Sequence, residues 1–201
     1  MKNTNGYRIK LETPNLLIET GHNMTRNKDI AAAIQQSMKN LTGKERRFQP
    51  AYTVAMEICS NSVEHAYANR PIHWKLSAYK CSDTIAFTMT DTGVGILHTL
   101  YRKFHKEIFD YLNLRNNCDI LYRAFQRKYG SSTQLINRNK GLPCILDKFD
   151  KGYIKNLKVI TNNVFLDFAN KKNNIILSNQ FSGVLFYWEI DNETIVVLIF
   201  A

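Results

Sequence analysis

The apolar residues of this chain repeat with two different periods, and the order of those periods limits the folds that it can adopt. Apolar positions in 27–41 recur at helical spacing through Ile30, Ile34 and Met38, which predicts an amphipathic helix. A second helical segment, 51–68, follows directly after Pro50, a residue favoured in the first turn of a helix. Two helices are therefore expected early in the chain.

Short β-like runs occupy much of the remainder. The runs 72–81 and 84–91 are separated only by Ser82-Asp83, a spacing that is typical of a β-hairpin. Further strands are predicted at 7–12, 16–20, 156–161, 164–169, 174–179 and 183–190. We also expect one or two helices in 97–128, a polar loop over 129–141 and a short helix over 142–150.

This order of elements predicts an α+β protein, a two-layer α/β sandwich whose mixed, mostly antiparallel sheet carries its helices on one face. With 201 residues and 44% hydrophobic positions, the chain is long enough to bury a core of its own. No composition break or low-complexity linker divides the sequence. We therefore expect one domain over 1–201, with N-terminal strands and a helix in 1–45.

The cysteines and the apolar runs bear on where the protein works. Its four cysteines are far apart and form no Cys-x-x-Cys pair, which argues against a disulfide scaffold and a thiolate zinc site. The sequence has no apolar run of 18 residues and no apolar segment after its first lysine. We therefore expect neither a membrane span nor a secretory signal, and a cytoplasmic location.

A net charge of +10 makes an anionic partner the first one to consider. The excess is confined to 1–50, with nine Lys and Arg against four acids, and to 98–140, with nine against three. The segments 51–97 and 141–201 are close to neutral. Because no nucleic-acid-reading motif accompanies the charge, we do not expect DNA or RNA as the partner, although salt-sensitive nucleic-acid binding stays a third alternative.

Three polar side chains line one stripe of the second helix. Glu57, Asn61 and His65 are spaced i, i+4 and i+8, beside the apolar positions Val54 and Ile58. A carboxylate and an amide at the margin of a buried face need partners. The pattern by itself also fits an ordinary solvated stripe, and for His65 we expect a structural role.

A glycine-containing turn follows the hairpin in the string DTGVGI, residues 91–96. Asp91 ends the strand, and Gly93 and Gly95 permit backbone conformations that other residues avoid, so that a ligand can approach the main chain closely. Asp-x-Gly is also frequent in plain turns, which is the simpler interpretation of this motif by itself.

The two motifs together, in this order and with a hairpin between them, resemble the N box and the G1 box of the GHKL superfamily. That superfamily includes gyrase-type ATPases, heat-shock chaperones, MutL-type repair proteins and histidine kinases. A third, glycine-rich G2 box is expected at 130–146, with Gly141-Leu142 at the entrance of a helix. The resemblance covers about residues 45–190 and implies a Bergerat-type ATP-binding fold with a lid in 97–140.

The resemblance implies ATP and Mg²⁺ as ligands and gives each residue a role. Asn61 would hold Mg²⁺ through its side-chain oxygen, and Glu57 would orient or deprotonate the attacking group. Asp91 would accept a hydrogen bond from the adenine amino group, with Gly93 and Gly95 leaving room for the base and the ribose. Phosphates would be held by the lid residues Ser131, Ser132 and Thr133 and by main-chain N–H groups near Gly141 and Leu142.

Within the superfamily, the string EICSNSVEHAY looks closest to the anti-sigma-factor serine kinases, which are single small domains that partner STAS-domain proteins. The resemblance implies an ATP-dependent protein serine kinase or slow ATPase that phosphorylates or regulates a STAS-like partner, and it allows a homodimer. A different class of function also fits: a non-catalytic module whose ATP-gated lid controls dimerisation or partner docking.

Some positions depart from the family pattern. Asn137 and Asn139 stand where the G2 box often has further glycines, and Val184 stands where a threonine commonly accompanies the adenine-binding aspartate. These changes are compatible with nucleotide binding and predict slow turnover. Arg138 and Lys140 are candidates either to screen triphosphate charge or to form part of a solvated face.

The apolar tail 193–201 is open to three interpretations: a final strand, a dimer contact, or the cut end of a longer protein.

Overall fold

The computed structural model describes residues 16–20, 27–65, 73–104, 116–126 and 141–200. Within these ranges, five strands form one antiparallel sheet in the order β1-β2-β3-β5-β4. The strands are β1 (Leu16–Thr20), β2 (Trp74–Cys81), β3 (Thr84–Asp91), β4 (Lys155–Asp167) and β5 (Ile175–Asp191). The helices are α1 (Asn27–Thr42), α2 (Gln49–His65), α3 (Ile96–Lys103), α4 (Asn117–Phe125), α5 (Gly141–Asp150) and α6 (Asn192–Phe200), and a 3₁₀ turn (Lys171–Asn173) joins β4 to β5.

The buried face of the sheet follows the period of two that strands require. In β3, Ile85, Phe87 and Met89 are buried at alternate positions, and Phe87 stacks on Trp188 of β5 with 5.3 Å between ring centroids. Helices α1 and α2 contact β2 and β3, whereas α4 contacts β4 and β5. The predicted α+β sandwich is confirmed, with helices packed on a predominantly antiparallel sheet.

Helix α2 carries the first candidate motif and begins at Gln49, with Pro50 in its first turn, as the sequence predicts. Its buried stripe runs through Val54, Ile58 and Ser62 at intervals of four residues. This packing fixes the rotation of the helix about its axis. The neighbouring stripe, at 57 and 61, therefore lies at the edge of the core.

The last quarter of the chain differs from the four short strands that the sequence predicts. Two long strands form instead. The first two predicted strands merge into β4 and the last two into β5, and the pairing between β4 and β5 is irregular where each pair joins. The Asn162-Asn163 pair has the composition of a turn, yet it lies within β4, where Asn162 has φ 53°. Asparagine tolerates this left-handed conformation better than most residues, so the strand bulges and continues.

The apolar tail forms helix α6, so the interpretation as a final strand is wrong. Its start is stabilised by a reciprocal cap: Thr194 N–H donates to Asp191 Oδ1 (2.9 Å), and Asp191 N–H donates to Thr194 Oγ1 (3.1 Å). Lys155 Nζ lies 2.6 Å from Asp191 Oδ2 and ties the cap to β4. These polar contacts stop β5 at its end and turn the chain into a helix.

One or two helices are expected in 97–128, and the described residues there form two, α3 and α4; the helix expected at 142–150 is α5. The predicted strand 7–12 and the predicted loop, apart from Gly141, lie outside the described residues. No helix among the residues that the structure describes is both long enough and apolar enough to cross a membrane.

Candidate functional site

The first part of the site lies where the middle of α2 meets the first residue of α5. A β-carbon placed on Gly141 would lie 2.9 Å from both Oδ1 and Nδ2 of Asn61 and 3.1 Å from Oε2 of Glu57. Those distances are too short for a residue with a side chain unless its neighbours move. The structure therefore brings Glu57, Asn61 and Gly141 together, with Leu142 next along the helix.

Asn61 carries an unused hydrogen-bond donor in this contact. Its Nδ2 atom is buried and has no hydrogen-bond partner among the described residues. A buried polar atom without a partner costs roughly 1–3 kcal/mol of stability. A bound ligand that accepts a hydrogen bond from this atom would remove that cost.

The N-terminus of α5 adds further donors at the same place. The N–H groups in the first turn of a helix have no partner within the helix, and their dipoles make this end electropositive. Here they belong to Gly141, Leu142 and Cys144, because Pro143 has no N–H. The start of α5 can therefore bind an anion beside Asn61.

Glu57 has the electrostatic environment of a proton acceptor. Burial raises the pKa of its carboxyl group, and the negative charge of Glu64 raises it further. The Cys144 thiol also has a raised pKa, first from its own burial and then from the charge of Glu57. A carboxylate whose pKa is displaced toward neutrality is suited to general-base chemistry.

The second part of the site is the carboxylate of Asp91, a residue that is only 8% exposed. Ser62 Oγ donates to Asp91 Oδ2 (2.7 Å), Gly93 N–H donates to Asp91 Oδ1 (2.8 Å), and the Val184 backbone N–H also donates to the carboxylate. Burial raises the pKa of Asp91, and the three donors oppose that rise without cancelling it. Since Ser62 follows Asn61 directly, one turn of α2 serves both parts of the site.

Sequence reasoning missed Gly183, which brings β5 against Asp91. Its φ is +90°, and a β-carbon there would lie 1.9 Å from the Asp91 carbonyl oxygen. The available signal was a glycine inside a β-like run, which often marks a close approach of two backbones.

The strand residues beside Asp91 are in register across the sheet. Val184 pairs with Asp91 on one side and with Thr161 on the other, so Val184 stands next to the aspartate as predicted. Thr161 is fully buried, accepts from the Ile96 N–H (2.9 Å) and lies 3.1 Å from the Gly183 carbonyl oxygen. Its hydroxyl is therefore engaged in holding the protein's own backbone.

Asn162, also missed from sequence, fixes the glycine turn that follows Asp91. Its Oδ1 accepts from the Leu97 N–H (3.0 Å), and its Nδ2 donates to the Val94 carbonyl (2.9 Å). A β-carbon on Gly95 would lie 2.4 Å from Asn162 Oδ1, so this side chain itself requires a glycine there. Thr161 and Asn162, which we call the β4 clamp, together accept hydrogen bonds from the first two N–H groups of α3, those of Ile96 and Leu97.

The remaining predicted residues are not placed in this arrangement. Ser131, Ser132, Thr133, Arg138 and Lys140 lie outside the described residues, as does the side chain of His65. Gly93 is used through its N–H to hold Asp91. In the described part of the chain, no three or more His, Cys, Asp and Glu side chains cluster as metal ligands.

Comparison with known proteins does not assign the chain to a family. No protein-family model matches the chain, and no curated protein matches it either.

The β4 clamp generates a prediction for stability. Replacing Asn162 with Ala should lower the free energy of unfolding by about 3 kcal/mol, because Leu97 N–H and Val94 C=O lose their partner and alanine disfavours φ 53°. Asn156→Ala is the matched control, since Asn156 has φ 52° but, within the described part of the chain, a single exposed side-chain hydrogen bond, to Glu189. The free energy of unfolding of Asn156→Ala, measured in urea, should fall by about 1 kcal/mol. Equal losses would contradict the clamp.

The buried carboxylate generates a prediction for pH dependence. Because the pKa of Asp91 is raised on folding, its ionisation destabilises the native state as the pH rises through the folded pKa. Asp91→Asn should therefore gain stability relative to wild type between pH 4 and pH 7. Asp147→Asn should show the opposite trend at lower pH, because hydrogen bonds from Lys151 and Lys148 lower the pKa of Asp147 and its stabilising effect is lost as the pH falls below the ordinary carboxyl pKa of about 4. Urea unfolding from acidic pH up to neutrality tests both, and parallel curves for Asp91→Asn and wild type would contradict the prediction.

Proposed function

We propose that this protein is an ATP- and Mg²⁺-binding domain of the GHKL type, with a Bergerat fold, that phosphorylates or regulates a partner protein. The observation that carries the proposal is the packing of Gly141, at the start of α5, against the side chains of Glu57 and Asn61. Two motifs separated by some eighty residues meet there, and this meeting supports a single binding site built from both.

The two parts of the site match the two ends of a nucleotide. Asp91 offers a buried acceptor to an exocyclic amine, while the start of α5 offers N–H donors and a positive dipole to phosphates. The start of α3 is not available for phosphates in the same way, because the β4 clamp occupies the N–H groups of Ile96 and Leu97. This division supports an orientation with the base at Asp91 and the phosphates at α5.

The chemistry of the donor atoms fits Mg²⁺ bound together with phosphates. Mg²⁺ prefers oxygen ligands and commonly takes one or two from the protein, with water and phosphate oxygens completing its shell. Asn61 Oδ1 is the oxygen ligand that we assign to Mg²⁺ at this contact, and the Glu57 carboxylate lies beside it. The unpartnered Asn61 Nδ2 is in turn a donor for a phosphate oxygen. When bound, the ion would neutralise phosphate charge.

Glu57 is the residue to which we assign proton transfer. Its raised pKa favours acceptance of a proton from an attacking hydroxyl, either of a partner serine or of water. A STAS-like regulatory protein is the partner class that we favour. The basic segments of the chain fit an acidic partner or a triphosphate better than a nucleic acid.

Gly141→Ala tests the contact that carries the proposal. The added β-carbon must displace Asn61, so ATP affinity in the presence of Mg²⁺ should fall at least tenfold, whereas the free energy of unfolding should change by less than about 1 kcal/mol. Gly152→Ala should show the reverse, because Gly152 has φ +71° and open space around it. Isothermal titration and urea unfolding separate the two effects. Failure of wild type to bind ATP would refute the proposal.

Glu57→Gln distinguishes the catalytic function from the non-catalytic module. The amide keeps the shape of the side chain but cannot accept a proton, so ATP should still bind while ADP production falls by about 10²- to 10⁴-fold. Turnover is measured with purified protein, with and without its partner. A Gln variant that retains wild-type turnover would exclude Glu57 as the base. A wild-type protein that binds ATP and never releases ADP would favour the ATP-gated module.

A further inference from the structure

Ser62 joins α2 to the buried carboxylate by a side-chain hydrogen bond, and it is none of the residues to which either candidate motif gives a role. It is 3% exposed, and its Oγ lies 2.7 Å from Asp91 Oδ2 and 3.0 Å from the Ile58 carbonyl oxygen. A hydroxyl has one proton and can fully satisfy only one of these acceptors. The shorter contact, to the charged group, is the stronger one.

The direction of that hydrogen bond decides what Asp91 can recognise. Because Ser62 donates to Oδ2 and Gly93 N–H donates to Oδ1, the carboxylate is held in one orientation with both of its oxygens acting as acceptors. Adenine presents an exocyclic amine, which is a donor, where guanine presents a carbonyl oxygen, which is an acceptor. A carboxylate fixed as an acceptor therefore selects adenine.

Other hydroxyls on the described strands beside Asp91 do not take this role. The position opposite Asp91 on β5 is Val184, which has no hydroxyl, and the Thr161 hydroxyl is engaged by the Ile96 N–H and the Gly183 carbonyl. The side-chain hydroxyl that contacts the carboxylate comes instead from the helix.

We infer that Ser62 is a positioning residue for nucleotide selection: by donating to Asp91 Oδ2, it holds the carboxylate as the acceptor that distinguishes ATP from GTP. This inference rests on the proposed function, since it concerns the base-binding end of the same site. It adds a residue whose role is exerted through Asp91 and without direct contact with the phosphates.

The test compares ATP and GTP binding by isothermal titration, with Mg²⁺ present, in the full chain. Ser62→Ala should weaken ATP binding about tenfold and leave GTP binding unchanged, so the preference for ATP falls by the same factor. Ser62→Thr, which restores a hydroxyl, should recover most of the preference. In the background of Asp91→Asn, Ser62→Ala should change neither affinity, because the group through which it acts is gone.

Ser37→Ala is the matched control for the loss of a buried helical serine. Ser37 is 2% exposed and donates to the Ala33 carbonyl (2.8 Å), as Ser62 can to Ile58, but among the described residues no carboxylate hydrogen-bonds to it. Its replacement should leave the ATP-to-GTP ratio unchanged. If wild type prefers ATP and Ser62→Ala keeps that ratio, the inference is wrong and the proposed function stands. If wild type does not bind ATP, both are wrong.

Discussion

The bulge in β4 at Thr161 and Asn162 is the constraint on which the site depends. Without a side chain at Gly95, the turn after Asp91 lacks a cap of its own, and the N–H groups of Ile96 and Leu97 are satisfied by the two bulge residues instead. A strand that is distant in sequence thus fixes the glycine turn. Buried backbone groups need such partners, so turn and bulge form together or not at all.

Two glycines then set how closely the elements of the site approach. Gly183 lets β5 lie against the Asp91 carbonyl, and Gly141 lets the start of α5 lie against Glu57 and Asn61. Each makes room for a neighbouring atom where a β-carbon would collide. The geometry of the site therefore depends on these two glycines as much as on the polar groups around them.

The site also contains groups that lower the stability of the native state. Asp91 is a buried carboxylate with a raised pKa, and Asn61 has a buried amide nitrogen without a partner among the described residues. Neither contributes to folding as an apolar residue of the same size would. Sites of binding and catalysis commonly retain such costs, because the same groups become favourable when a ligand pairs with them.

The period of the apolar residues was enough to predict α1, α2, the β2–β3 hairpin and the α+β class, because these features arise from local spacing and one buried face. The spacing of Glu57 and Asn61 likewise placed them on one stripe of α2. The same reasoning divided β4 and β5 into four strands, since Asn162-Asn163 has the composition of a turn. Whether an asparagine pair ends a strand or bulges within it depends on its partners across the sheet.

By itself, then, the sequence determined α1, α2, the β2–β3 hairpin and the polar residues at 57, 61 and 91. Only the tertiary structure decided that Gly141 meets Asn61, that Gly183 meets Asp91, and that Ser62 and Asn162 hold the carboxylate and its turn. The physical reason is that propensity and periodicity act over a few residues. Close approach and hydrogen-bond satisfaction join residues that are far apart in the chain, and they exist only once the core has packed.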